Sequence, residues 1–316
     1  MKWAISRRAQ QLTSSAIREI LKVTERPEVI SFAGGLPSPP SIPVAAREAP
    51  VARVFADNPQ GALQYAATEG YLPLREFVAK RYNVEVERVL ITTGSQQALD
   101  LIAKVMIDPG SPVLVEDDPY GELSYTGDIL PTLLSMNPDG VIYMGSFSKV
   151  LAPGLRLGFM IAPPELHFKL CQAKQASDLH TPSFTQRMAY ESVRDGLLER
   201  HIPTIRALYG KQCEVMLDAL KRHMPAGVTW NQPEGGMFIW VELPEGLDSM
   251  KILEEAVRRN VAYVPGAPFY AGNPRMNTLR LAFVTVPPER IEQGVTILGE
   301  LFREAIAKAA PQPRAA

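Results

Sequence analysis

The stretch from Val141 to Phe159 constrains this chain more than any other. Val141–Gly145 is a continuous apolar run, short enough for one buried strand. Ser146, Phe147, Ser148 and Lys149 then form a polar loop, Pro153 and Gly154 punctuate it, and a second apolar run leaves Arg156 in extended form. One lysine is thereby set between two serines and an arginine. Lysine acts as a covalent amine when its surroundings lower its pKa, and hydroxyls with a guanidinium are groups that hold a phosphate. The two needs together describe a pyridoxal phosphate (PLP) site. Ser146–Lys149 alone also fits a solvated lysine in a surface turn, so the reading depends on the pieces around it.

Three other pieces suit the same purpose. Val89–Thr93 reads as a strand, Gly94 as a tight turn, and Ser95, Gln96 and Gln97 as the start of a helix, whose unpaired N–H groups and dipole make an anion site. A plain strand-to-helix connection with a serine cap has the same pattern. Val113–Glu116 reads as a buried strand that runs into Asp117, Asp118 and Tyr120. At the carboxyl end of a strand in an open α/β sheet, Asp117 and Tyr120 would face a ligand crevice. There a carboxylate keeps a pyridine nitrogen protonated and a phenol donates to a ring hydroxyl, although strand-end carboxylates also serve as helix caps. In Asn277–Phe283, Arg280 alternates with apolar neighbours, which fixes a cation on one strand face where it could take a carboxylate in bidentate fashion or face water. Gly34 and Gly35 sit in a Gly/Pro loop that permits close backbone approach, Tyr65 sits in an irregular segment, and Leu12–Val23 has the spacing of an amphipathic helix.

With 46% hydrophobic and 21% charged residues in 316, the chain has material for a sizeable core in one large or two moderate domains. The net charge of -1, with lysines and arginines spread along the sequence, gives no footprint for nucleic acid. No apolar run is long enough to span a bilayer and no signal core follows Met1, so neither a membrane partner nor export is expected. Cys171 and Cys213 lie in helix-like segments without metal-ligand spacing, which suits the reducing cytoplasm, and the four histidines form no recognisable group. No metal site is expected. Ser183 to about His223 reads as one long helical stretch, and the last third as short strands with helices at Met250–Arg259 and Pro288–Ile306.

Taken in order, Ser15 and Arg18, Phe32–Pro37, Leu63–Tyr65, Thr92–Asp100, Val115–Tyr120, Gly145–Arg156, Pro233–Phe238 and Asn277–Leu281 resemble the fold type I PLP-dependent aminotransferases, class I/II. Within these the chain looks closest to the 2-aminoadipate aminotransferase group, and the match covers nearly its whole length. The resemblance implies an α/β fold: a large domain with a shortened mixed sheet and a small C-terminal α+β domain. It implies an N-terminal arm and helix at 1–45, a truncated PLP-binding domain at 46–205 and the small domain at 206–316. It makes Lys149 the Schiff-base lysine, Asp117 the pyridine-nitrogen partner and Tyr120 the ring-hydroxyl donor. Ser95, Gln96, Ser146, Ser148 and Arg156 become the phosphate cradle, and Tyr65 reaches the phosphate of the partner in a homodimer. Arg280 and Gly35 take the substrate carboxylate side, with Ser15 and Arg18 lining the side-chain pocket. The implied substrates are an amino acid (2-aminoadipate, glutamate, branched or aromatic) and a 2-oxo acid such as 2-oxoglutarate. Members fused to winged-helix regulators are a less expected match, since no such domain precedes this one.

The sequence departs from the family at Glu116/Asp117. In relatives, the strand like Val113–Glu116 leads to an aromatic that covers the cofactor ring and to an Asn-Pro-Thr-Gly-like turn, and only later to the Glu-Asp-Asp-Pro-Tyr strand. Here the two strands are fused and the segment between them is absent. Asn58–Gly61 and Asn137–Gly140 resemble the lost turn but stand at the wrong places in the order. Removal of neighbouring strands should leave a four-stranded sheet, with strands ending near Thr93, Asp117, Gly145 and Ile161 and an exposed edge at Val113–Glu116. Two rival readings follow: a PLP-binding but inactive or impaired form, and a PLP-dependent lyase or decarboxylase on the same fold.

Overall fold

The computed structural model describes residues 4–10, 20, 24, 26–46, 48–108, 110–111, 113–127 and 129–309. Its strands, in chain order, are β1 (Ile30–Ser31), β2 (Val89–Thr92), β3 (Val115–Asp117), β4 (Ile142–Ser146), β5 (Gly158–Ile161), β6 (Thr229–Trp230), β7 (Phe238–Glu242), β8 (Val261–Ala262), β9 (Val264–Pro265) and β10 (Thr278–Ala282). The chain divides into two compact units, one of Leu36–Leu208 with Glu234–Gly236, the other of Met1–Gly35, Tyr209–Pro233 and Met237–Ala316. In the second of these, β1 pairs in parallel with β8, Ile30 opposite Val261 and Ser31 opposite Ala262.

The larger unit is built on a four-stranded mixed sheet in the order β2-β5-β4-β3. β5 runs antiparallel to both β2 and β4, and β3 runs parallel to β4. These are the four strands expected after loss of their neighbours. β2 and β5 are short, wholly buried runs, and β4 is buried up to its last residue, Ser146, because apolar side chains are covered on both faces. On one face Leu90, Met160 and Met144 line up across the register and pack against Ala98, Leu101 and Ile102 of helix Ser95–Met106 and Leu170 of helix Pro164–Asp178. On the other, Tyr143 and Phe159 meet Tyr82, at ring separations of 4.8 and 5.4 Å. The Tyr143 hydroxyl bonds to that of Tyr82 and to Asp118 (3.0 and 3.2 Å), and burial pushes the Tyr82 phenol up to about 12.

β3 is the sheet's edge. It is three residues long and only partly covered, and Leu114 beside it is 56% exposed. Its Glu116 carboxylate accepts the N–H groups of Leu133 and Leu134, tying the short helix Leu133–Met136 to this strand. The expected single helix from Ser183 to His223 is two, Ser183–Val193 and Leu197–His223, because Gly196 takes a left-handed φ of 73° between them. Of the two Asn-Pro segments, the first opens a short helix, Pro59–Leu63, with Asn58 as its cap (Oδ1 accepts from Gly61 N at 2.7 Å), and the second is a local turn in which Asn137 Oδ1 accepts from Gly140 N at 3.1 Å.

The smaller unit holds the antiparallel sheet β6-β7-β10-β9 and the pair β1-β8. Helices Ser249–Arg258 and Pro288–Ala309 belong to it, the first capped by Asp248, which accepts from Met250 N and Lys251 N. Among the described residues no helix is long and apolar enough to cross a membrane, and no group of three or more His, Cys, Asp or Glu side chains is placed to hold a metal. His223 pairs with Glu292 (2.6 Å) and His201 with the Ser41 carbonyl (2.8 Å).

Candidate active site

Strand direction assembles the candidate residues. β2, β3 and β4 are mutually parallel, so their carboxyl ends share one edge of the sheet, and antiparallel β5 begins there. Gly94–Ser95 follow β2, Asp117 ends β3, Ser146 ends β4, and Arg156 stands two residues before β5. Gly94 and Arg156, 62 positions apart in the chain, are brought to that edge by this alternation of strand direction.

The anion cradle is the most closely built part. Helix Ser95–Met106 has Gly94 as its N-cap, at φ 78°, and no side chain caps it, so its first N–H groups remain available for a ligand. A side chain on Gly94 would meet the Arg156 guanidinium, whose Nη2 lies 2.9 Å from the position of such a Cβ. Arg156 itself holds a left-handed φ of 51°, which costs a non-glycine residue about 1 kcal/mol and aims the side chain across the turn. Gly158 presses from below: a Cβ there would lie 2.9 Å from Ser95 N. Ser146 Oγ donates to Ser148 Oγ at 2.8 Å and accepts Ser148 N at 3.1 Å, which locks the start of the lysine loop. Gln96 is exposed on the helix's first turn.

Lys149 is half-buried, with Nζ 5.8 Å from the centre of the Tyr120 ring. Asp117 is exposed at the end of β3, and its carboxyl lies above its ordinary value, chiefly because neighbouring protein removes water and secondly because Asp118 is negative. A cation placed against Asp117 would offset both effects, which is what a protonated pyridine nitrogen supplies. Tyr65 is 78% exposed and meets the edge of the His180 ring at 5.7 Å.

In the smaller unit, Arg280 is gripped by two aromatic rings, its guanidinium carbon 3.9 Å from the centre of Phe238 and 4.9 Å from that of Phe269. Gly35 permits this, since a Cβ there would come within 2.8 Å of Phe238 Cζ. Ser15 and Arg18 lie outside the described residues.

The family profile for aminotransferase class I and II matches residues 27–125 and 113–298. The chain belongs to that family. With it come amino-group transfer as the class of reaction and PLP as the cofactor. The chain is 38% identical to a 2-aminoadipate transaminase of Thermus thermophilus over 388 aligned positions, covering 96% of this chain and 98% of the relative. It is 35% identical to aromatic-amino-acid aminotransferase 1 of Thermococcus litoralis, covering 96% and 95%. Its fold superposes with a TM-score of 0.90 on a Thermus thermophilus α-aminoadipate aminotransferase crystallised with N-(5'-phosphopyridoxyl)-L-leucine, at 36% identity and 96% and 98% coverage.

These matches also locate the departure from the family. An alignment over 388 positions cannot be filled by 316 residues, so at least 72 positions of this aminotransferase's relative face a gap. Residues 113–125 belong to both matched pieces of the profile, which is the pattern left when two separate stretches are joined at β3. The break therefore falls at the sheet edge, beside β4, while β5 and β2 lie one and two strands further in.

Sequence reading did not single out the aromatic grip on Arg280 or the polar groups behind the cradle. Phe238 was within a quoted motif and Phe269 in an unremarkable Ala-Pro-Phe turn; only the packing joins them. Gln97 and Thr93 flank the cradle turn and share Asp178, whose oxygen takes both (2.7 and 3.1 Å).

Proposed function

We propose that this aminotransferase moves an amino group between an amino acid, of the 2-aminoadipate, glutamate, branched or aromatic kind, and a 2-oxo acid such as 2-oxoglutarate. The observation that carries the reading is the anion cradle, built from the Ser95 helix end, the Ser146–Ser148 pair and the Arg156 guanidinium, with Lys149 next to Ser148 in the chain. The relatives named for 2-aminoadipate and aromatic amino acids support the substrate range.

In this reading Ser95, Gln96, Ser146, Ser148 and Arg156 hold the cofactor's phosphate, Lys149 carries the cofactor, and Asp117 and Tyr120 orient its ring. When bound, PLP supplies an electron sink for the bonds at the substrate's α-carbon. Lys149 Nζ takes the proton from that carbon as base and returns a proton as acid. Asp117 keeps a positive charge in place at the ring nitrogen, and Tyr120 donates its phenol proton to the ring hydroxyl. Arg280, held flat by Phe238 and Phe269, takes the substrate's α-carboxylate through a two-point contact. Gly35 makes room for that grip, and Ser15 and Arg18 line the side-chain pocket.

We assign the working form as a cytoplasmic homodimer in which Tyr65 reaches the partner's phosphate; its exposed ring supports this, as do the two free cysteines, Cys171 and Cys213. Domain limits near 45 and 205 belong to the same reading. The turnover is impaired relative to full-length relatives, because Asp117 and Tyr120 hang from an edge strand whose former neighbours are gone. A product assay tests the reaction class. A new amino acid formed from a 2-oxo acid, with glutamate as donor, is the expected result; released ammonia or carbon dioxide instead would assign a lyase or decarboxylase.

A further inference from the structure

Behind the cradle lies an ion pair that the chemistry above does not use, between a buried lysine and a carboxylate open to solvent on one side. Lys174, in helix Pro164–Asp178, is 0% exposed, and its Nζ donates to Asp178 Oδ1 at 2.7 Å. A buried lysine is costly unless paired, and a carboxylate at a helix C-terminus is disfavoured by the helix dipole. Burial pushes the Lys174 ammonium down and is opposed by Asp178; burial pushes the Asp178 carboxyl up, but Lys174, Gln97 and Thr93 outweigh it.

The carboxylate's second oxygen shows what the pair is fixed to. Asp178 Oδ2 accepts Gln97 Nε2 at 2.7 Å and Thr93 Oγ1 at 3.1 Å. Gln97 in turn accepts the Thr93 N–H through Oε1 at 2.8 Å, and the Thr93 hydroxyl meets that of Thr181 at 3.2 Å. Thr93 and Gln97 stand on either side of Gly94, Ser95 and Gln96, the residues whose N–H groups form the anion site. The Gly94 carbonyl is fixed as well, accepting Thr92 Oγ1 and Gln97 N. One oxygen of Asp178 thus grips both ends of the anion-binding turn, and the other is anchored to a lysine that cannot move into solvent.

We infer that Asp178, anchored by Lys174, is a positioning residue for the anion cradle: it sets the direction of the Ser95 and Gln96 N–H groups through Thr93 and Gln97, without touching the anion. This rests on the cradle reading above. It differs from a stabilising ion pair, which would change the melting temperature and leave anion affinity alone.

The test is the affinity of the cofactor-free full chain for inorganic phosphate, measured by titration calorimetry in a phosphate-free buffer well below the unfolding transition. Wild type is expected to bind and Arg156→Ala to lose binding. Asp178→Asn and Thr93→Val should each weaken phosphate about tenfold, the loss of one hydrogen bond to a charged group. Thr93→Ser, which keeps the hydroxyl, should bind within about twofold of wild type, and Thr93→Val serves if Asp178→Asn does not fold. Unchanged affinity in Asp178→Asn and Thr93→Val, alongside loss in Arg156→Ala, would overturn this inference and leave the cradle standing. Absence of phosphate binding in wild type would overturn both.

Discussion

Strands β4 and β5, inside the larger unit's sheet, and β3, at its edge, carry the two halves of the proposed site. β5 is buried along its whole length and β4 up to Ser146, which is partly open, and the loop between them is locked by Ser146, Ser148, Gly158 and the strained Arg156. β3 has three residues, an exposed Asp117, and an exposed apolar neighbour in Leu114 (56%). The phosphate half of the site is thus set in a packed core, while the ring half is attached where the family's sheet has been cut. A deletion in a layered fold damages what its own neighbours supported, and leaves intact what is held from the other side.

The contrast can be broken or sharpened by substitution. The largest effect is expected at the lysine: Lys149→Ala should lower amino transfer by about 10,000-fold, measured as product formation under saturating cofactor. The two halves are compared directly by cofactor affinity. Arg156→Ala should weaken PLP by about 100-fold and Tyr120→Phe by only about threefold, as read by equilibrium dialysis. Equal losses would mean that the halves are equally well supported. Stability should divide the same way. Ile91→Ala, in the fully buried β2, should cost about 2–5 kcal/mol in denaturant unfolding, and Val115→Ala on the edge less than about 1 kcal/mol.

The smallest effect carries a sign. The folded-state pKa of Asp117 lies above its unfolded value of 3.8, owing to burial and then to Asp118. A carboxyl raised in this way favours the folded state when protonated, so its contribution is present below the unfolded value and is lost as pH rises through the folded one. Asp117→Asn should therefore raise the melting temperature of the cofactor-free chain at pH 7 by about 1 °C, and the gain should vanish as the pH falls through the folded-state value. A destabilised Asp117→Asn at pH 7 would show that the carboxylate already has a cationic partner.

The sequence disclosed those parts of the site in which a local pattern and a chemical need coincide. The Ser146–Arg156 loop was legible because few folds need a lysine among phosphate-binding groups between two apolar runs. The four-stranded sheet was legible because the break at Glu116/Asp117 removed neighbouring strands together. Contacts made by packing left no such pattern. Asp178 lies about 80 residues from Thr93 and Gln97, and nothing in its own neighbourhood marks it as their partner. Phe269 meets Arg280 only because β7 and β10 pair and the Ala267–Phe269 turn closes over them. The break between helices at Gly196 was missed because apolar spacing continues across it while the backbone does not.

The most direct test of the account is a titration of the purified chain with PLP, following the visible absorption that appears when the cofactor joins a lysine. The account predicts a saturable band in wild type and none in Lys149→Ala, because the cradle is held by the buried strands β2, β4 and β5 rather than by the cut edge strand itself. No band at any cofactor concentration would contradict it, and would mean that the missing segment holds the cofactor as much as the cradle does.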